Sequence, residues 1–268
     1  MDTAPSDRAR ALLAPLLAAP QRAAVLTDFD GTLASIVAEP SAAAALPGAA
    51  ESLSDLAGTF GRVAVISGRP VSFLVDRLPG LVGTAVELVG LYGLEAAGPD
   101  GAVRDDPEVA RWRPAVADAA GRLADGAPDG VLVEVKGAAV TVHWRAAPAF
   151  ETWVAGAVAA EADRTGLVAH PARLSLELRP PLAIDKGTVV AGRCVGMDAA
   201  CYLGDDVGDV PAFDALAAWS AGGGGTAVRI AVEDEETDPT VRAAADLVVP
   251  GPESAVGLLR WLADAGRA

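Results

Sequence analysis

The apolar run Ala23 to Leu26 breaks into Thr27-Asp28-Phe29-Asp30-Gly31-Thr32-Leu33, and this stretch restricts the fold more than any other. A short aliphatic run halted by acidic residues and glycine is the pattern of a buried parallel strand reaching its C-terminal end. Parallel strands need crossover connections, usually helices packed on both faces of the sheet. In open sheets of that kind, ligands bind at the C-terminal strand ends. Two aspartates one residue apart form a compact anionic centre there, suited to a divalent cation and an oxygen nucleophile. A solvated turn with an Asx contact fits the same letters, so the rest of the chain must decide.

Strand and helix patterns alternate on both sides of this stretch. Leu12, Leu13, Leu16 and Leu17 have helical spacing within residues 7–19, ahead of Pro20, and Leu53, Leu56 and Phe60 repeat it within 48–60. A second apolar strand, 63–66, breaks at Ser67-Gly68-Arg69-Pro70. A helix over 71–78, a strand over 88–91 and the turn Tyr92-Gly93-Leu94-Glu95 follow. This alternation predicts a doubly wound parallel, Rossmann-like α/β core. The turn Gly98-Pro99-Asp100-Gly101 marks a boundary, and beyond it the pattern changes. A helix over 107–124, a hairpin over 131–136 and 139–145, a helix over 148–164 and a strand over 174–179 predict a small inserted α/β cap domain. In the hairpin, Val131, Val133, Val135, Val140, Val142 and Trp144 fall on one face. Glu134, Lys136, Thr141, His143 and Arg145 fall on the other, joined by Ser175, Glu177 and Arg179 from the later strand. Such a face is either plain solvent exposure or a reader of hydroxyl groups.

After Pro180-Pro181 the first style returns. Asp185 can cap a helix starting at Lys186, and a strand over 200–203 ends in Gly204-Asp205-Asp206-Val207-Gly208-Asp209. A helix over 213–219, a strand over 228–232, a helix opened by Asp238-Pro239, an edge strand over 247–249 and a helix over 253–265 complete the pattern. The expected division is core 1–101, cap 102–182 and core 183–268.

Formal net charge is -15, which argues against nucleic acid and anionic membranes as partners. A small phosphorylated substrate stays admissible where a metal and a few basic residues dominate locally. No apolar run approaches the ~20 residues of a membrane span, and the start has no signal-peptide pattern. Cys194 and Cys201 form no zinc pattern and suit a reducing compartment. A cytoplasmic monomer is expected. The glycine run 222–225 lacks the strand-to-helix context of a nucleotide loop.

Four strand-end or helix-start elements thus stand in order: Asp28-x-Asp30-Gly31-Thr32, Ser67, Lys186 and Asp205-Asp206-x-x-Asp209. They resemble the four motifs of the haloacid dehalogenase-like phosphatase superfamily. Val65-Ile66-Ser67-Gly68-Arg69, Gly90-Leu91-Tyr92-Gly93-Leu94-Glu95, Glu134-Val135-Lys136-Gly137, His143-Trp144-Arg145, Leu176-Glu177-Leu178-Arg179-Pro180, Asp185-Lys186-Gly187 and Gly204-Asp205-Asp206 further resemble the trehalose-6-phosphate phosphatases, from about Ala23 to Ala265. In that family the inserted lobe is a cap over the active site.

The resemblance implies Mg²⁺-dependent hydrolysis of trehalose 6-phosphate through an aspartyl-phosphate. Asp28 would be the nucleophile. Asp30 would protonate the leaving sugar oxygen and then activate water. Ser67 and Lys186 would hold the phosphoryl oxygens. Mg²⁺ would take the Asp28 carboxylate, the Asp30 carbonyl and Asp205. Asp206 and Asp209 would act as ligands or orient its waters. Glu134, Lys136 and Glu177 would contact sugar hydroxyls, with His143 and Arg145 close by or supporting them, or else held in a structural ion pair within the cap. The family commonly carries Thr and Glu where this chain has Gly208 and Val210, which leaves the support of the metal open. Another sugar phosphate as substrate, a mutase and a non-catalytic binding module are the competing readings.

Overall fold

The computed structural model describes residues 5–37, 39–105, 107–172, 174–234 and 237–267; the side chains of Pro107 and Lys136 lie outside that description. The chain divides into two compact units, Met1–Arg104 with Ile184–Ala268, and Asp105–Ala183.

The first unit opens with α1 (Asp7–Ala18), β1 (Ala23–Thr27), α2 (Ala49–Ala57), β2 (Arg62–Ile66), α3 (Val71–Arg77), β3 (Val86–Gly90) and two three-residue strands, β4 (Glu95–Ala97) and β5 (Val103–Asp105). The second unit holds α4 (Pro107–Gly126), β6 (Leu132–Lys136), β7 (Ala139–His143), α5 (Glu151–Thr165), β8 (Val168–Ala172) and β9 (Ser175–Arg179). The chain then returns through α6 (Lys186–Cys194), β10 (Ala199–Gly204), α7 (Val210–Ala221), β11 (Thr226–Glu233), α8 (Pro239–Ala244), β12 (Leu247–Pro250) and α9 (Gly251–Gly266).

In the first unit the strand order is β12-β11-β10-β1-β2-β3-β4-β5. The pairs from β12 to β3 are parallel, and β4 is antiparallel to β3. After β1 the chain winds outward through β2 and β3. It comes back beside β1 at β10 and winds outward the other way. The switch point therefore lies between β1 and β10, where Thr27 is level with Leu203. The next residues are Asp28 and, past Gly204, Asp205. A crevice at the strand tips opens at such a reversal.

Alternate strand residues feed two separate cores. Val25, Val65, Cys201 and Ile230 pack with α1, α2, α3 and α9 on one face. Leu26, Ile66, Tyr202 and Ala231 pack with α6, α7 and α8 on the other. Each fully buried Leu or Val contributes roughly 1.5–3 kcal/mol, so both helical layers are held by strands that read as continuous apolar runs. Cys194 and Cys201 are free and buried among these apolar residues.

The second unit is a four-stranded antiparallel sheet in the order β6-β7-β9-β8. Val140, Val142 and Leu178 pack there against Val116, Ala119 and Leu123 of α4 and Val154 and Val158 of α5. The expected alternation holds: Val133 faces Val142 and Val135 faces Val140, while Glu134 faces Thr141. The apolar face fades toward the hairpin tip, where Val135 is exposed. Two details differ from the sequence pattern. β7 ends at His143, so Arg145 lies in the following turn rather than on the strand. β8 was not expected, because Pro171 interrupts its apolar pattern; it is an edge strand, where proline is tolerated.

Candidate active site

Asp28 follows β1 directly and donates its backbone N–H to Leu203 O at 2.8 Å, which carries the parallel ladder one residue past the strand. The chain then folds tightly, with Leu33 and Ala34 N–H both donating to Phe29 O. Gly31 sits at φ +73°, and a Cβ there would lie 1.9 Å from Asp205 Oδ2. Only glycine lets the β1 and β10 tips approach this closely.

Lys186 starts α6, whose cap is the expected one: Asp185 Oδ1 accepts from Thr188 N at 2.8 Å, and Thr188 Oγ1 accepts from Asp185 N at 3.0 Å. The cap fixes where the lysine side chain begins. Its Nζ reaches Asp28 Oδ1 at 2.8 Å and Asp209 Oδ1 at 2.6 Å, with all three side chains buried. Burial alone would pull the ammonium pKa down, but Asp209 and Asp28 outweigh it and hold the group charged.

Asp209 is fully buried and accepts four hydrogen bonds. Lys186 Nζ and Tyr202 OH, each at 2.6 Å, reach Oδ1; the Asp205 and Asp206 N–H groups, at 3.1 and 3.2 Å, reach Oδ2. A carboxylate has about four lone-pair sites, so Asp209 is satisfied by protein alone. Tyr202 gave no signal in the sequence, since it lies inside an apolar strand.

Asp28, Asp205 and Asp209 each bring a carboxylate oxygen within 4.8 Å of the others. Burial first, then Asp28, Asp209 and Asp206, pushes Asp205 up to about 9. Burial and the neighbouring carboxylates also raise Asp28, against Lys186. One ammonium does not balance this much negative charge. The donors are hard oxygens, so a small hard dication fits the cluster chemically. With Asp209 filled, Asp28 and Asp205 are the carboxylates left to hold it. Asp206 is not in the triad. Its carboxylate accepts from Gly208 N–H in the turn 207–209. A Cβ on residue 208 would come 3.0 Å from Asp206 Oδ1, so the glycine leaves room for this cap.

Ser67 follows β2, donating its N–H to Val89 O at 2.9 Å. Its loop is clasped by Leu91 and Tyr92, whose N–H groups donate to Arg69 O and Ser67 O at 3.0 and 2.9 Å. Both residues are left-handed, at φ 49° and 62°, a conformation held only where surroundings impose it. Buried Glu95 accepts from Val71 N–H at the start of α3. Asp30 pairs with the loop after β2: Arg69 Nε and Nη2 donate to its two carboxylate oxygens at 2.8 and 2.9 Å. Sequence spacing gave no hint of that pair.

In the second unit, Glu134, Thr141, Glu177 and His170 form one row across all four strands. His143 Nε2 lies 3.0 Å from Glu134 Oε2, a pairing within this unit. Glu177 is buried, accepting from Arg179 Nε at 2.6 Å and Thr141 Oγ1 at 3.4 Å. Arg145 is exposed, and the Lys136 side chain lies outside the described residues.

Residues 26–246 match the sequence profile of the family described as trehalose-phosphatase. The chain belongs to that family. A trehalose-phosphate phosphatase of Mycolicibacterium paratuberculosis is 40% identical over 203 residues, covering 72% of this chain and 51% of the relative. A homologue of that name from Mycobacterium leprae is 37% identical over 214 residues, 75% of this chain and 49% of its own. The chain thus spans about half the length of the curated relatives it matches. The C-terminal domain of the Candida albicans trehalose-6-phosphate phosphatase superposes with a TM-score of 0.73 at 22% identity, covering 97% of this chain and 98% of that domain. This likeness extends the trehalose-phosphatase fold across nearly the full sequence. Among the described residues, no helix is long and apolar enough to cross a membrane.

Proposed function

We propose that this chain is a phosphoric monoester hydrolase that converts trehalose 6-phosphate to trehalose and phosphate, with Mg²⁺ as its cation. The observation carrying the reading is Asp28 at the switch point, within one cluster with Lys186 and Asp205, in a chain of the trehalose-phosphatase family.

The roles follow from charge and reach. A phosphate monoester is an anion and repels a carboxylate, so its charge must be offset before attack. Lys186 supplies one positive charge beside Asp28. Asp28 and Asp205, with the Asp30 carbonyl, would hold Mg²⁺, which when bound supplies further charge neutralisation at the phosphoryl group. Asp209 holds Lys186 and the 205–206 backbone in place. Ser67 and Lys186 bind phosphoryl oxygens. Asp28 forms a bond to phosphorus as the bond to the sugar oxygen breaks, and Asp30 gives that oxygen its proton. Water then attacks the aspartyl-phosphate and loses a proton to Asp30, releasing phosphate.

The inserted unit, 102–182 by sequence, serves as the cap that reads the sugar through Glu134, Lys136 and Glu177. The register that puts Glu134 and Glu177 on one face supports this. His143 supports Glu134, and Arg145 is a further sugar contact. We place the protein in the cytoplasm, as a monomer; the two free, buried thiols are compatible with a reducing compartment.

Phosphate release across sugar phosphates with Mg²⁺, run beside Asp28→Asn, tests the proposal. Trehalose 6-phosphate turned over no faster than glucose 6-phosphate defeats the substrate assignment. Turnover surviving in Asp28→Asn defeats the mechanism.

A further inference from the structure

Arg69 joins three parts of the first unit, and none of the roles above uses it. Its guanidinium fork donates to both Asp30 oxygens at 2.8 and 2.9 Å. Its Cζ lies 4.6 Å from the centroid of the Phe73 ring. Phe73 meets Phe29 edge-on at 5.8 Å, and Phe29 is the fully buried residue between Asp28 and Asp30. The Arg69 N–H donates to Ser67 Oγ at 3.1 Å, and its carbonyl accepts from Leu91. Backbone and side chain are both anchored.

An aspartate carboxylate turns broadly about its last torsion, and two parallel N–H···O bonds fix its plane. The fork takes one lone pair from each oxygen and leaves the other directed away from the arginine. Building on the hydrolase reading above, we propose that Arg69 is a positioning residue. Resting on Phe73, it sets the plane of the Asp30 carboxyl group so that one oxygen meets the leaving-group oxygen of the phosphate ester and, later, the attacking water. Arg69 neither gains nor loses a proton. The proton passes from Asp30 to the sugar oxygen as the P–O bond breaks, and from water to Asp30 as the aspartyl-phosphate is cleaved.

Proton delivery matters when the leaving group is a sugar alkoxide and hardly at all when it is 2,4-dinitrophenolate. The readout is therefore the ratio of kcat/KM for trehalose 6-phosphate to that for 2,4-dinitrophenyl phosphate. If the unaltered chain does not turn over trehalose 6-phosphate, the substrate assignment alone fails and glucose 6-phosphate takes its place in the ratio. Asp30→Asn should collapse the ratio, since general acid catalysis contributes ~10²–10⁴-fold; an unchanged ratio there defeats the role of Asp30 itself. Arg69→Ala should lower the ratio about ten- to a hundredfold, part of that general-acid contribution. Arg69→Lys and Phe73→Leu should fall between, and they carry the test if Arg69→Ala does not fold. In the Asp30→Asn background, Arg69→Ala should change the ratio less than about twofold, because the two act as one unit. Equal losses on both substrates, or losses that multiply with Asp30→Asn, overturn the proposal and make Arg69 a phosphoryl contact.

Discussion

Lys186 Nζ stands 2.6 Å from Asp209 Oδ1 with both side chains buried, and the same ammonium reaches Asp28 at 2.8 Å. The pair splits the acidic cluster into a supporting carboxylate and working ones. Asp209 is fully satisfied and holds a cation, a tyrosine and two backbone amides. Among the described residues, Asp205 has only a 3.5 Å contact from Thr32 Oγ1 on its carboxylate, and it is pushed up by burial and its acidic neighbours.

The two aspartates should therefore fail differently. Removing one partner of a buried charge pair costs about 3–5 kcal/mol, so Asp209→Ala should lose stability of that order in urea unfolding. Asp205→Asn replaces a carboxyl group whose charged form burial and its acidic neighbours disfavour, and it should leave stability unchanged or raised, while phosphate release is lost. A stability loss in Asp205→Asn matching that of Asp209→Ala would contradict the division.

Gly31→Ala tests the close approach of the β1 and β10 tips. Its backbone is left-handed, a conformation costing an L-residue about 1–2 kcal/mol, and the new methyl would strike the Asp205 carboxylate. We expect a stability loss of about that size and Mg²⁺ affinity reduced roughly tenfold, equivalent to about 1.4 kcal/mol. Calorimetric titration of Mg²⁺ measures the second effect. Unchanged affinity would mean that Asp205 does not hold the metal.

Much of this was legible in the chain before folding. Asp28, Ser67 and Asp205 each close an apolar run, and parallel strands buried on both faces write such runs plainly. Lys186 was legible through its cap, since Asp185 and Thr188 are local partners. Two side-chain pairs left no trace: Arg69 finds Asp30 across 39 positions, and Tyr202, which reaches Asp209 seven residues on, is hidden within an apolar strand. β4 and β5 are too short, at three residues each, to show a period. β8 hid behind Pro171, a residue that only an edge strand accommodates.

Metal removal should be visible in stability as well as in activity. A cation that binds only the folded chain stabilises it by about 2.7 kcal/mol at a hundred times its Kd. Mg²⁺ should therefore raise the unfolding temperature, and a chelator should reverse the rise. In Asp205→Asn the rise should vanish although the protein stays folded. A rise persisting in that variant would locate the cation elsewhere.

The second histidine offers a pH test in the inserted unit. His170 is opposite Glu177 on the edge strand. Burial first, then Arg179, holds its imidazole below the ordinary histidine range, with Glu177 opposing. In the unfolded chain it titrates near its usual ~6.5. Between the folded pKa and that value the unfolded state carries the extra proton, so stability rises with pH across the window. The contribution is complete above about pH 6.5 and is lost as pH falls through the window. His170→Gln removes the group, so the urea midpoint of the unaltered protein should fall relative to the variant between about pH 7 and 5. A gap that stays constant, or widens in favour of the unaltered chain, would show that the imidazole is stabilised in its charged form on this face.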